Sequence, residues 1–228
     1  MKQTLAAEAQ RLGLSLSDAQ LEKFCSFGEA LIEKNKVMNL TAITEPQAVA
    51  KLHFADCLAL LNCTEFKNKK LIDVGCGAGF PGVPLKLGEE SLQLTLLDSL
   101  QKRVNWLKEV LGELDVDAQC VAARAEEFGH REEYDIATSR AVARLQILAE
   151  LCLPFVKVGG YFLAMKGSAA IEELEEAKRA ITLLGGKVEK VVNYSIDDAS
   201  HCVLVIRKVK PTPSQYPRRF SKIKQQPL

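Results

Sequence analysis

Residues 71–82 read Leu-Ile-Asp-Val-Gly-Cys-Gly-Ala-Gly-Phe-Pro-Gly, and this stretch decides the fold of the 228-residue chain. Three apolar residues and Asp73 run directly into glycines at every second position, Gly75, Gly77 and Gly79. The pattern predicts a buried strand that ends in a loop where bare backbone lies against a ligand, because glycine lacks Cβ and tolerates positive φ. We therefore expect Asp73 and the three glycines to bind a cofactor.

The spacing of the loop and its acidic residue favour a cofactor that carries positive charge. Dinucleotide-binding loops read G-x-G-x-x-G and bind a pyrophosphate at a helix N-terminus, whereas this loop reads G-x-G-x-G after Asp73. A carboxylate there suits the ammonium and sulfonium groups of S-adenosylmethionine. Asp98 follows the next apolar segment, roughly 20 residues beyond the glycines, where doubly wound folds place the acid that binds ribose. We predict that Asp98 and Ser99 hold the ribose; a helix cap is the alternative for Asp98.

From residue 71 onward, apolar segments alternate with amphipathic ones. We predict strands over 71–74, 92–97, 116–121, 134–138, 160–165, 187–194 and 201–209, and helices over 82–88, 99–112, 144–153 and 168–184. The loop 195–200 is too short for a crossover helix, so the last two strands form an antiparallel hairpin. The predicted fold class is α/β: a class I, Rossmann-like methyltransferase fold with a seven-stranded, mostly parallel sheet.

A helical extension, residues 1–66, is predicted to precede the sheet. Ser17–Gln20 and Thr44–Gln47 have the pattern of capping boxes, and apolar residues at helical spacing follow each of them. Residues 35–41 form a polar connector between the two helices. The methyltransferase domain then covers residues 67–210, and a basic C-terminal tail covers residues 211–228.

Charge and cysteine content narrow the class of protein. The net charge is +1, yet residues 207–228 contain seven basic and no acidic side chains. A basic end on an acidic body favours contact with a polyanion; a solubilising tail is the alternative. Seven scattered cysteines without a C-x-x-C pair argue against a disulfide framework or a metal site and favour a reducing cytoplasm. No apolar run reaches the ~20 residues that span a bilayer, so we predict no membrane segment. We also expect the protein to be cytoplasmic and monomeric.

The residues that follow each strand are the candidates for chemistry, because ligands bind at the carboxyl ends of strands in an open α/β sheet. Ala125 and Glu126, after the third strand, are predicted to meet the adenine ring. Arg124, Arg140 and Lys166 follow strands three, four and five. We expect these three cations to converge on one rim and to bind a polyanionic substrate; separate surface salt bridges are the alternative.

Residues that other methyltransferases use are missing at these positions. The segment 139–142 reads Ser-Arg-Ala-Val instead of the Asn/Asp-Pro-Pro-aromatic motif of amine methyltransferases, and Cys76 is the one cysteine at a strand exit. His53, His130 and His201 are not placed as general bases. The pattern favours an acceptor atom that needs neither deprotonation nor covalent activation, such as guanine N7. In-line alignment would then carry catalysis, and positioning of that kind supplies up to roughly 7–11 kcal/mol.

Five segments together resemble one family over nearly the whole chain. They are Asn35-Lys36 with Asn39-Leu40-Thr41, Asp73 to Gly82, Ser139-Arg140-Ala141, Met165-Lys166-Gly167 and Tyr216-Pro217-Arg218-Arg219. In this order they are similar to the RsmG (glucose-inhibited division protein B) family of bacterial 16S rRNA methyltransferases. The resemblance implies methylation of N7 of one guanine, position 527 in the usual rRNA numbering, in the decoding-region loop of the small ribosomal subunit.

The resemblance also implies roles for single residues. It implies cofactor contacts by Gly75, Phe80, Ala125, Glu126 and Arg140, with Asp98 on the ribose. Arg140 and Arg124 are the catalytic candidates, and the implied RNA contacts are Arg124, Lys166, Arg218, Arg219, Lys36 and Asn39. The chain departs from the family after Arg219, where Phe220 and Ser221 stand instead of a glycine and further prolines, which leaves the path of the tail open.

Two other functions remain as alternatives. A small-molecule S-adenosylmethionine-dependent methyltransferase would use the same core, and deletion of residues 211–228 would then spare its activity. A nucleotide- or RNA-binding module would bind its ligand without any methyl transfer.

Overall fold

The computed structural model describes residues 1–140, 143–167, 169–197 and 199–228, and within them seven strands form one sheet. The strands are β1 Lys70–Val74, β2 Gln93–Asp98, β3 Gln119–Ala122, β4 Tyr134–Arg140, β5 Val156–Lys166, β6 Gly186–Ile196 and β7 Ala199–Lys208. Their order is β3-β2-β1-β4-β5-β7-β6; β1 to β5 are parallel, and β7 pairs antiparallel with both β5 and β6. The predicted sheet and its final hairpin are confirmed.

Helices cover both faces of the sheet. They are α1 Lys2–Arg11, α2 Asp18–Met38, α3 Pro46–Val49, α4 Asp56–Leu58, α5 Gly82–Gly88, α6 Gln101–Glu113, α7 Leu145–Cys152, α8 Ala170–Leu183 and α9 Phe220–Gln225. Predicted and observed bounds of the sheet strands and their helices differ by a few residues. The largest differences are the later start of β3 and the earlier start of β5. Residues 141, 142, 168 and 198 lie outside the described residues, and with them the last residue of the Ser139-Arg140-Ala141 motif.

The N-terminal helices confirm one predicted capping box and correct the other. The capping box at Ser17 is confirmed, since Gln20 N donates to Ser17 Oγ at 3.2 Å and Ser17 N donates to Gln20 Oε1 at 2.9 Å. The second box is wrong: Glu45, not Thr44, caps the helix, and its carboxylate accepts the Ala48 N–H at 2.6 Å. A charged carboxylate at this position also interacts favourably with the positive end of the helix dipole.

The predicted connector 35–41 is partly helical, because α2 continues to Met38. The helix ends at Asn39, which adopts a left-handed conformation with φ of 49°. Asn35 Oδ1 then accepts the N–H groups of Leu40 and Thr41 at 2.6 and 2.8 Å. These two bonds turn the chain back towards the sheet.

The segment after α3 is not one regular helix. A π-helix, Ala50–Ala55, leads into α4, and a 3₁₀-helix, Ala59–Asn62, follows. A π-helix adds a residue to the turn and so rotates the following side chains, and such segments recur at functional sites. Here the π-helix and α4 bring His53 and Asp56 into the interior, where they are 7% and 4% exposed.

The N-terminal extension shares a hydrophobic core with the sheet. Phe24, Phe27 and Phe54 belong to the same buried cluster as Phe80 of the glycine loop and Trp106 of α6. A second cluster, on the opposite face, contains residues of α7 and α8 together with Tyr216 and Ile223 from the C-terminal tail. The boundaries at residues 66 and 210 remain a prediction, since both flanking segments pack into the cores of the central domain.

Among the described residues, none of the helices has the length and apolar character to cross a bilayer.

Candidate active site

The glycine loop has the predicted backbone conformation. Gly75, Gly77 and Gly79 have φ angles of 72°, 56° and 90°, which favour glycine over other residues. A Cβ on Gly77 would meet nothing within 4 Å, whereas one on Gly79 would lie 2.7 Å from Val83 Cγ2. Gly77 is therefore open to a cavity, and Gly79 allows the loop to pack against α5.

Asp73 lies behind the loop, which argues against its predicted contact with the cofactor. Its side chain is fully buried, and Oδ2 accepts the Gly82 N–H at 2.8 Å. Oδ1 has no hydrogen-bond partner among the described residues. Burial is the main reason that the pKa of Asp73 rises to about 7. A Cβ on Gly82 would lie 2.9 Å from Oδ2, so the acid supports the loop through a close backbone contact.

A cavity of about 450 Å³, here called the loop cavity, opens beside the glycines. Its lining includes Gly75, Cys76, Gly77, Phe80, Asp98, Ser99 and Arg140, and also Leu40, Thr41 and His53 from the N-terminal extension. Asp98 Oδ2 accepts the Gly77 N–H at 2.9 Å, and Oδ1 accepts the Leu100 N–H at 2.8 Å. Each carboxylate oxygen has a further lone pair, so Asp98 braces the loop and can still accept from a ligand hydroxyl.

A smaller cavity of about 150 Å³, the edge cavity, continues from the loop cavity towards β3. Gly75, Asp98 and Ser99 line both cavities. Ala125 and Glu126, the predicted adenine contacts, line the edge cavity between apolar side chains that include Leu97 and Leu148. A polar end between apolar walls suits a flat heterocycle with an amino edge.

Arg140 stands at the junction between the loop cavity and a third cavity, about 660 Å³ in volume, that we call the rim cavity. Its Nη1 lies 3.4 Å from Asp56 Oδ2, and its Nη2 lies 3.2 Å from His53 Nδ1. The guanidinium carbon is 4.6 Å from the centre of the Phe80 ring, a cation–π distance. These contacts fix a strand-end guanidinium between the two cavities.

Asp56 is the centre of the contacts that hold Arg140. Its Oδ1 accepts the Tyr194 hydroxyl at 2.7 Å and lies 3.2 Å from His201 Nδ1. All three residues line the rim cavity. No local sequence pattern marks these residues, because their segments, α4 and the β6–β7 hairpin, lie far from the strand exits along the chain.

His53, which the sequence placed in the extension and not as a general base, lies beside Arg140. It lines both the loop and the rim cavity. Because Arg140 can only donate, Nδ1 is the acceptor and Nε2 carries the proton that faces Thr41 Oγ1 at 2.8 Å. Burial, with help from Arg140, lowers the pKa of His53 to about 4. The imidazole is therefore neutral and a weak base.

The pH dependence of stability provides a test of this buried imidazole. In the unfolded chain a histidine takes up its proton near pH 6.5, before folded His53 does near pH 4. The stability that neutral His53 contributes is therefore fully present above pH 6.5 and is lost as the pH falls from 6.5 to 4. We expect the wild type to lose about 3 kcal/mol more than His53→Gln over this window, measured by urea unfolding.

The comparison with His53→Gln is needed because the titration of Asp73 changes stability with pH in the opposite direction. Its folded pKa of about 7 lies above its ordinary value of 3.8, so its contribution falls as the pH rises through that window. Asp73 is present in both proteins and cancels in the difference. Parallel pH curves for the two proteins would contradict the buried neutral His53.

Two of the three predicted cations share a cavity. Arg140 and Lys166 line the rim cavity, and Arg124 lines the edge cavity. This separation argues against the predicted convergence of Arg124 with the other two cations, and its catalytic role stays a prediction. The exit of β3 lies three strand positions from that of β4, or about 14 Å at the usual strand spacing.

The predicted RNA contacts divide into engaged and exposed side chains. Arg218 binds Glu150 through Nε at 2.8 Å and Nη2 at 2.6 Å, and Glu150 is fully buried. This pairing argues against the predicted contact of Arg218 with RNA. Lys166 donates to Glu173 at 2.7 Å, with 8% of its side chain exposed. The remaining candidates, Lys36, Asn39, Arg124 and Arg219, are exposed, and Lys36 also pairs with Glu33 Oε2 at 2.5 Å.

The cysteines and acidic residues offer no metal site among the described residues. All seven cysteines are free thiols, and all but Cys25 are buried. Cys76 lines the loop cavity, but burial raises the pKa of its thiol well above the ordinary value. A thiol in that state is a poor nucleophile.

Comparison with known proteins identifies the family. The family described as GidB, rRNA small subunit methyltransferase G, matches residues 20–202. The chain belongs to this family. It is 44% identical to the ribosomal RNA small subunit methyltransferase G of Clostridium botulinum (strain Loch Maree / Type A3), over 98% of this chain and 97% of that protein. It is 49% identical to the protein of the same name from Alkaliphilus metalliredigens, over 96% of this chain and 95% of that protein.

Solved structures of much lower identity share the fold. Geranyl diphosphate C-methyltransferase from Streptomyces coelicolor A3(2), solved with S-adenosyl-L-homocysteine, superimposes with a TM-score of 0.58 at 14% identity, over 74% of this chain and 85% of that one. The [4+2]-cyclase SpnF gives a TM-score of 0.59 at 15% identity, over 86% of this chain and 97% of that one. These likenesses confirm the Rossmann-like methyltransferase fold. Family membership, not the fold, makes the chain an rRNA methyltransferase.

Proposed function

We propose that this protein transfers a methyl group from S-adenosylmethionine to N7 of guanine 527 in 16S rRNA. The observation that carries the proposal is the position of Arg140 between the loop cavity and the rim cavity. A cofactor in the first cavity and a nucleotide in the second would meet beside one fixed guanidinium. The protein acts in the cytoplasm, as a monomer, on the small ribosomal subunit.

The residues of the two connected cavities fit S-adenosylmethionine. The left-handed backbone of Gly77 leaves open space where a side chain would stand. Asp98 has free lone pairs for ribose hydroxyls, and Ala125 and Glu126 offer polar atoms to an adenine edge. When bound, the cofactor supplies an electrophilic methyl group on its sulfonium. Phe80 and Arg140 lie at the end of the loop cavity that borders the rim cavity.

The side chains around this junction position the acceptor and do not activate it. His53 is neutral, and a proton on Nδ1 would displace the Arg140 hydrogen bond. Cys76 is held as a thiol. Guanine N7 needs neither a base nor a covalent intermediate, since its lone pair lies in the ring plane and is already nucleophilic. Arg140 keeps N–H groups for an anion at the junction, either a phosphate of the RNA or the carboxylate of the cofactor.

Exposed cations near the site support an RNA substrate. Arg124 lines the edge cavity, Arg219 and Lys222 lie on the C-terminal segment, and Lys36 lies at the end of α2. Such cations bind the phosphate backbone without reading sequence. The choice of one guanine then depends on the shape of the rim cavity and of the RNA around the target.

Methyl transfer from labelled S-adenosylmethionine to small subunits tests the proposal. The subunits come from cells that lack this enzyme, so that the target base is unmodified. We expect label in 16S rRNA and none in the small-molecule fraction of a cell extract. Label in a small molecule, with none in the RNA, would favour the alternative small-molecule methyltransferase.

A substitution at Gly77, compared with a matched control, distinguishes a loss of cofactor binding from the backbone cost of replacing a glycine. Gly77→Ala places a methyl group in the open space of the loop cavity, so we expect S-adenosylmethionine affinity to fall roughly tenfold or more. Gly13→Ala is the matched control, because Gly13 also has positive φ and a Cβ there would likewise meet open space. Both substitutions carry a backbone cost of about 1 kcal/mol. Calorimetric titration should show weaker binding for Gly77→Ala alone.

A further inference from the structure

The C-terminal segment, residues 212–223, is built into the domain and does not trail from it. Thr212, Tyr216 and Ile223 are buried at 5%, 8% and 0% exposure. Thr212 N donates to Glu132 Oε1 at 2.8 Å, and Thr212 Oγ1 accepts from the buried Lys208 ammonium at 2.8 Å. The segment, whose path the departure from the family motif left open, therefore returns to the sheet.

A second set of contacts fixes the end of this segment on α7. Arg218 donates its backbone N–H and two guanidinium N–H groups to the Glu150 carboxylate, at distances of 2.6 to 2.9 Å. Arg131 adds hydrogen bonds to the carbonyls of Thr212 and Tyr216. A bidentate guanidinium–carboxylate pair fixes direction as well as distance. The residues that follow Arg218 are therefore held in one place.

Phe220 is the first residue of α9, two positions after this pair, and it lines the edge cavity. The other walls come from the ends of β1 and β2, from the β3 exit and from Leu148 and Leu151 of α7. Those walls belong to the central sheet and its helices, whereas Phe220 is contributed by the C-terminal segment. An aromatic ring beside apolar side chains suits a purine, which presents a flat apolar face.

We infer that Phe220 contacts the adenine ring of the cofactor, so that the C-terminal segment is part of the cofactor site. This inference rests on the proposed cofactor, S-adenosylmethionine. The segment then has two roles: Phe220 faces the edge cavity, and Arg219, Lys222 and Lys224 remain exposed for a polyanion. Arg218 and Glu150 position Phe220 and take no part in binding themselves.

Truncation of the C-terminal segment therefore acts on the cofactor site as well as on RNA contacts. Deletion of residues 211–228 removes the Phe220 wall of the edge cavity, the partner of the buried Glu150 and two residues of the second core cluster, Tyr216 and Ile223. We expect the deletion to weaken cofactor binding and to lower the stability of the protein, whichever substrate it methylates. The deletion therefore does not separate an RNA methyltransferase from a small-molecule one.

Direct binding to the full-length protein without RNA tests the role of Phe220. Calorimetry with S-adenosylhomocysteine is expected to show about tenfold weaker binding for Phe220→Ala, within the range of single stacking contacts. Phe220→Trp keeps an aromatic face and should stay close to the wild type. Ser221→Ala, an exposed neighbour on the same helix, is the control for the helix itself.

Adenosine, used as a competing probe, separates a ring contact from a general loosening of the site. If Phe220 contacts adenine, Phe220→Ala weakens the binding of adenosine by the same factor as the binding of S-adenosylhomocysteine. Unchanged affinity in Phe220→Ala would overturn the inference, and so would a loss that spares adenosine. A wild type that binds neither probe would overturn the proposed cofactor, and the inference with it.

Discussion

Arg140→Ala is expected to lower kcat/KM for rRNA methylation by roughly 100-fold or more, the usual cost of removing a preorganised donor from an active site. The guanidinium lies at the junction of the loop and rim cavities and contacts His53, Asp56 and Phe80. Its removal leaves Asp56 bonded to Tyr194 and near His201, so we expect the fold to persist. Circular dichroism and methyl transfer to small subunits measure the two effects separately.

Two further variants make the result specific to the guanidinium. Arg140→Lys keeps a positive charge but loses the planar fork, so it should recover only a small part of the activity. Arg179→Ala removes an exposed arginine from α8 and should leave activity unchanged. Near-normal turnover of Arg140→Ala would refute the assigned position of Arg140 between cofactor and acceptor.

Glu150→Ala is expected to destabilise the protein by about 3–5 kcal/mol, because it leaves the Arg218 guanidinium partly buried without a counter-charge. The Arg218 side chain is 16% exposed and the Glu150 side chain is fully buried. Thermal or urea unfolding measures the loss. Glu175→Ala is the control, since its pair with Lys178 is 2.6 Å long but about 60% exposed on both sides. Exposed pairs of that kind contribute at most about 1 kcal/mol.

A double substitution distinguishes a paired contact from two independent ones. Glu150→Leu with Arg218→Met replaces both charges by apolar side chains, and apolar replacement of a buried pair is often neutral. We expect the double variant to be less destabilised than the sum of its two single variants. Additive losses would contradict the structural role of this pair and return Arg218 to the candidates for RNA binding.

The sheet and the cofactor loop were predictable because local patterns determine them. An apolar run that ends in glycines indicates a strand, then a loop, then a helix. The 195–200 loop is too short for a crossover helix, so the last two strands must be antiparallel. The sequence also indicated that Asp98, Ala125 and Glu126 lie beside one another, because strand exits of a parallel sheet meet at one edge; their contacts with the cofactor stay predictions. The same reasoning predicted a cavity position for Arg140, which lines the loop and rim cavities.

The rest of the site depends on contacts that no local pattern contains. His53 and Asp56 reach the rim cavity only because a π-helix precedes α4 and the extension packs on the glycine loop. Asp73 has the residue type of a ligand contact, but full burial puts it behind the backbone. The pairing of Arg218 with Glu150 joins residues 68 positions apart. A cation in a basic tail gives no local sign that its partner is buried.

Strand scission selective for 7-methylguanosine tests the central claim most directly. Small subunits from cells that lack this enzyme are incubated with the protein and S-adenosylmethionine, and the 16S rRNA is then cleaved and mapped. We expect one new cleavage, at guanine 527, that depends on the protein and is lost with Arg140→Ala. A methylated rRNA without that cleavage, or with cleavage at another position, would contradict the proposed atom and site.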